Sequence, residues 1–142
     1  SEMSSAAVFQ VNEYSPKSFA VSHDLIPDIA VLDPTLLLSV PKSTKIYSGL
    51  DALSHAVEGY ASLFSNKYTQ DLSELSIRIL FNSLHDYVNI GDIDSADEVL
   101  RASNLAGVVQ NIIQWYCPAF TYTYTNPTWS VCIHYMMLIR FL

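Results

Sequence analysis

Asp51 and His55 form the pair in this sequence whose types and spacing could do chemistry. They sit in the segment Gly49-Leu50-Asp51-Ala52-Leu53-Ser54-His55-Ala56-Val57-Glu58-Gly59-Tyr60. Residues four apart on a helix share one face, a turn apart. A carboxylate oxygen and an imidazole nitrogen so placed suit one divalent ion such as Fe(II), Zn or Mn. Small neighbours, Ala52, Ser54 and Ala56, leave room for a ligand. The same spacing also describes an ordinary exposed charge-assisted pair, worth roughly 0.2–0.5 kcal/mol. Two ligands make half a centre, because a closed or catalytic site uses three or four. Spacing alone leaves both readings open.

The elements that must position this pair are legible in outline. A helix capped by Ser43 or Thr44 runs to about Ser62, with Ile46, Leu50, Leu53, Val57 and Tyr60 recurring at three- and four-residue steps. Gly49 and Gly59 weaken it by roughly 1 kcal/mol each against alanine, which points to a packing reason for them. Ser65-Asn66 breaks the pattern. A second helix spans about Tyr68 to Asn89, with Leu72, Leu75, Ile79, Leu80, Leu84 and Val88 on its apolar side. After a turn at Gly91-Asp92, a third helix begins near Ser95 with Asp94 as N-cap, burying Val99, Leu100, Leu105, Val108, Val109 and Ile112. Short connections make neighbouring helices antiparallel.

Before Pro41 the text reads as short strands: Ala6–Val11, Lys17–Ser22 and Ile29–Leu32, with turn chemistry at Asn12–Pro16 and Asp33-Pro34. After Gln114 it changes again, and the alternating Thr-Tyr-Thr-Tyr-Thr within Trp115–Trp129 reads as strand. The expected divisions are therefore 1–41, 42–114 and 115–142.

Bulk properties narrow the partners. The chain has 142 residues, half of them hydrophobic, which is enough for a core. Its net charge of -7 carries no basic face for phosphates, so nucleic acid and anionic membrane surfaces are not expected partners. No run of about 18 apolar residues occurs, and no membrane span is expected. Ser1–Ala7 lacks the basic and apolar regions of a secretory signal. Cys117 and Cys132 make no CxxC pair, which favours a reducing, cytoplasmic setting.

Several separated motifs then resemble one family in the right order. Gly49–Ser62 is similar to the metal-binding helix of the iron-containing alcohol dehydrogenases. Asp33-Pro34 with Leu36-Leu37-Leu38-Ser39-Val40-Pro41 resembles the segment before that helix, and Leu25-Ile26-Pro27-Asp28-Ile29-Ala30 also fits. Ser1-Glu2-Met3-Ser4 looks like the end of a Gly-Thr-Gly-Ser-Glu-Val-Thr motif, and Ala102-Ser103-Asn104-Leu105-Ala106-Gly107 resembles a motif of the third helix. The likeness runs from Ser1 to about Asn111.

The resemblance implies a mainly α chain: antiparallel helices of a metal-binding domain, preceded by short strands from the end of a Rossmann-like nucleotide domain. It implies Fe(II) or Zn, NAD(P), and a small alcohol or aldehyde as substrate. By position, Asp51 and His55 are the first two metal ligands. Ser4 falls where a hydroxyl lies near the cofactor and Lys17 where a lysine does; an ordinary strand-end serine and a solvated turn lysine are the alternatives.

The family's later histidines are not matched. The positions fall near Pro118, Tyr122 and Cys132, with His134 two residues beyond the last. His134 is read either as a displaced third ligand or as a histidine held by local hydrogen bonds. Cys117 and Cys132 could take a softer metal or be inert buried residues. Residues 115–142 thus read as a divergent tail, for which a reading-frame or splice change after about Asn111 is one account. The expectation is a piece of a metal-dependent NAD(P)-linked alcohol dehydrogenase or aldehyde reductase, inactive as an isolated chain and prone to self-association. The rival is a non-catalytic helical domain or pseudoenzyme subunit that binds a partner, or a metal weakly.

Overall fold

In the computed structural model, residues 3, 5–9, 11–12 and 18–116 are described. They are mainly helical. A two-stranded antiparallel hairpin leads: β1 (Ala6–Phe9) pairs with β2 (Ser18–Val21), Ala6 opposite Val21 and Phe9 opposite Ser18. A one-turn 3-10 segment at His23–Leu25 and a short helix α1 (Thr35–Leu38) follow. Then come α2 (Lys42–Ala61), α3 (Lys67–Asn89) and α4 (Ile93–Tyr116), packed mutually as a three-helix bundle.

Local chemistry sets the helix ends. Pro41, with its fixed φ, sits just before the first turn of α2, where its missing N–H costs nothing. Asn66 caps α3 through a reciprocal capping box with Thr69. Asp92 caps α4, its carboxylate accepting from the Ser95 backbone N–H at 2.9 Å. That corrects the expected cap at Asp94, which lies inside the first turn. Gly91 ends the α3 region at φ 72, a left-handed conformation that favours glycine. Lys45 covers this corner, its Nζ 4.6 Å from the centre of the Tyr87 ring.

The helices run up, down and up. Lys42 Nζ at the start of α2 donates to Asn89 Oδ1 at the end of α3, at 2.8 Å. Ser76 Oγ donates across to the Ala102 carbonyl at 2.7 Å, tying α3 to α4. The expected antiparallel neighbours are thus present.

The buried faces match the expected ones in part: Leu53, Leu80, Val99 and Val109 are buried, while other expected positions are not. On α2 the seam is Lys45, Gly49, Ala52, Ala56 and Gly59, with Leu53 beside it, whereas Ile46, Val57 and Tyr60 are exposed. On α3 it is Thr69, Ser73, Ser76, Leu80, Ser83 and Tyr87, with Leu75 exposed. On α4 Ala96, Val99, Ala102, Ala106, Val109 and Ile113 are buried. Spacings of three and four hold throughout, but small side chains occupy the line of closest approach and larger ones flank it. Gly59 shows why: a Cβ there would lie 2.4 Å from Val109 Cγ1.

Ile29–Leu32 is not a strand. It is an extended connector with Ile29 and Val31 exposed, because no described strand lies alongside to accept its hydrogen bonds. The hairpin instead docks through the Ser5 N–H, which donates to Asn111 Oδ1 of α4 at 3.0 Å. The strand reading of 115–129 falls, but for Trp115 and Tyr116 at the end of α4, outside the described residues. Among the described residues no helix is long and apolar enough to cross a membrane.

Candidate metal centre

Helix α2 places Asp51 and His55 on one face, as their spacing requires. His55 Nε2 lies 4.0 Å from Asp51 Oδ1; the side chains are 26% and 59% exposed. Two atoms bonded to one ion at about 2.1 Å stand roughly 3.0–3.4 Å apart, depending on geometry. The pair is therefore within a small rotamer adjustment of a chelating arrangement, and both side chains have solvent in which to make it. Oxygen plus imidazole nitrogen is a donor set that Fe(II) and Zn accept. The residues present fit half of such a centre.

The small neighbours serve another purpose than leaving space for a ligand. Ala52, Ser54 and Ala56 are buried in the helix contacts. Ser54 Oγ donates to the Asp51 carbonyl at 2.8 Å, closing a local bond on the same turn.

Glu58 adds a third acidic or imidazole group to this face, three residues beyond His55. Gln110 of α4, itself 8% exposed, donates from Nε2 to Glu58 Oε2 at 3.1 Å. Burial pushes the Glu58 carboxyl above its ordinary value; the nearby His55 and the Gln110 bond oppose that shift, and Asp51 reinforces it. Sequence reasoning missed both partners. Glu58 had a local signal, its helical spacing from His55, whereas Gln110 lies 52 residues from Glu58 and carries none.

Among the described residues, no three His, Cys, Asp or Glu side chains are grouped closely enough to hold an ion. Ser4, Lys17, His134, Cys117 and Cys132 lie outside the described residues. An open groove of about 550 Å³ between α3 and α4, lined by Ser83, Glu98 and Arg101 among others, includes neither Asp51 nor His55.

The described helices thus form a three-helix bundle that carries a carboxylate–imidazole pair on its first long helix. The sequence matches the Fe-containing alcohol dehydrogenase family, C-terminal, over residues 45–126. The chain belongs to that family. The matched span holds Asp51, His55, Glu58 and Gln110, and its end lies within 115–142.

A 1-propanol dehydrogenase of Citrobacter freundii is 37% identical over 109 residues, 76% of this chain and 30% of its own length. Aldehyde-alcohol dehydrogenase 2 of Entamoeba histolytica is 32% identical over 108 residues, again 76% of this chain but 12% of its own length. An iron-containing alcohol dehydrogenase from Thermococcus thioreducens superposes with a TM-score of 0.71 at 26% identity, covering 82% of this chain and 33% of that one. The chain therefore spans a third or less of the relatives it matches.

Proposed function

We propose that this chain supplies the metal-binding helix of a metal-dependent, NAD(P)-linked alcohol dehydrogenase or aldehyde reductase, with Asp51 and His55 as two ligands of Fe(II) or Zn. One observation carries the reading: a carboxylate and an imidazole face each other at 4.0 Å on a helix within the family-matched segment. A divalent ion held there would polarise the oxygen of an alcohol or aldehyde during hydride exchange with nicotinamide. The division into a nucleotide-domain remnant at 1–41, a helical metal-binding part at 42–114 and a divergent tail at 115–142 belongs to this reading. So do Ser4 and Lys17 beside the cofactor and His134 as a third ligand. A small alcohol or aldehyde is the substrate class, and the cytoplasm the setting.

Catalysis by these 142 residues alone is not part of the proposal. With two donors on α2 and no third among the described residues, the isolated chain is read as inactive. That observation also favours a second reading, a non-catalytic helical domain or pseudoenzyme subunit. NAD-dependent alcohol oxidation with added Fe(II) tests the inactivity common to both: turnover by the isolated chain would overturn it and remove the second reading. Metal binding is tested by thermal unfolding during a metal titration, since a ligand of the native state stabilises by RT ln(1 + [L]/Kd). The shift is expected to disappear in Asp51→Ala; an unchanged shift would remove the ligand assignment.

A further inference from the structure

Glu58 is an expensive residue for its place. Beside it α2 and α4 approach closely, with Gly59 against Val109. A carboxylate entering such an interface loses hydration that an apolar side chain would not need. Yet a buried amide, Gln110, is aimed at it from the opposite helix and holds one oxygen at 3.1 Å. The held carboxylate lies on the face that carries His55 and Asp51, and both act on it electrostatically. Exposure along that face falls from Asp51 to His55, the direction in which Glu58 follows.

We propose that Glu58, pinned by Gln110, is a positioning residue for the metal-binding pair, its carboxylate a fixed negative charge three residues along the helix from His55 that strengthens the grip of Asp51 and His55 on a divalent cation. The inference rests on the reading that Asp51 and His55 bind metal. Its physics is that of an outer-shell carboxylate, which raises the basicity of a ligating imidazole and offsets the charge of the ion. The Gln110 bond holds that charge in place, and the rigid α2–α4 contact keeps it from swinging into solvent.

The test is a Co(II) titration of the full 142-residue chain, read by the visible absorption of the bound ion. Glu58→Gln keeps an acceptor for Gln110 and removes the charge. Its Kd is expected to weaken by roughly tenfold or more, with a shifted absorption band, as for other outer-shell partners. The unfolding temperature of the metal-free protein should not fall. Glu58→Asp keeps the charge and should bind Co(II) close to the parent value. Equal affinity in the parent and Glu58→Gln, with binding lost in Asp51→Ala, overturns the role of Glu58 and leaves the ligand pair standing. Weakening of Glu58→Asp to the level of Glu58→Gln also overturns it, because charge would not be the cause. No saturable Co(II) binding by the parent overturns both proposals.

Discussion

At Glu58 stability and binding pull in opposite directions. Burial, the largest influence, raises its carboxyl above the ordinary 4.5. A carboxyl that is harder to ionise in the folded chain than in the unfolded one penalises folding whenever it is charged. The penalty is full above the raised folded value and fades as pH falls through it toward and below 4.5. Metal-free Glu58→Gln should therefore be more stable than the parent at neutral pH, with the advantage vanishing below pH 4.5. Urea unfolding midpoints at the two pH values measure this. A gain that persists in acid would mean that packing, not ionisation, sets the cost. Asp33 and Asp92 titrate low because Thr35 and Ser95 donate to them, so their stabilising contribution is lost in acid. Both variants share that loss, and the difference between them isolates Glu58.

At the scale of elements, the two glycines of α2 separate packing from propensity. A Cβ on Gly49 would lie 2.2 Å from Leu84 Cδ1, the far end of a flexible side chain that can move aside. A Cβ on Gly59 meets Val109 Cγ1 at 2.4 Å and Ser73 Oγ at 3.1 Å. Valine on a helix has one strongly preferred rotamer, so the helices themselves must separate. Gly59→Ala should destabilise by about 1–3 kcal/mol from overpacking, against a propensity gain of roughly 1 kcal/mol. Gly49→Ala should be close to neutral. Equal effects in chemical denaturation would contradict this account of the seam. The same seam explains what the sequence disclosed. The period of each helix was legible, and α2, α3 and α4 lie within about two residues of their expected limits. Their buried faces were legible only in part: Leu53, Leu80, Val99 and Val109 are buried as expected, but hydrophobicity selects large side chains whereas close helix approach selects Gly49, Ala52, Ser73 and Ser76. Asp51 and His55 were legible because their relation is local. The Glu58–Gln110 bond was not, because it exists only once two helices meet.

At the scale of the whole molecule, apolar surface is the salient quantity. Ile29, Val31, Leu36, Tyr47 and Phe81 are each more than half exposed among the described residues. Exposed apolar area of this kind favours association, while a net charge of -7 opposes it by long-range repulsion. The apparent mass by sedimentation should rise with protein concentration, and more steeply at high salt, which screens the repulsion. A salt-independent monomer mass would exclude self-association through these surfaces.

The hydrogen bond from Ser5 to Asn111 joins residues 106 positions apart. During synthesis at about 5–20 residues per second, their emergence is separated by roughly 5–20 s. For that interval the hairpin has no α4 to dock against, while α2 and α3 are already available to each other. Order of assembly on the ribosome is thus constrained by one contact: the hairpin, made before α2, cannot take its place until Asn111 of α4 has emerged.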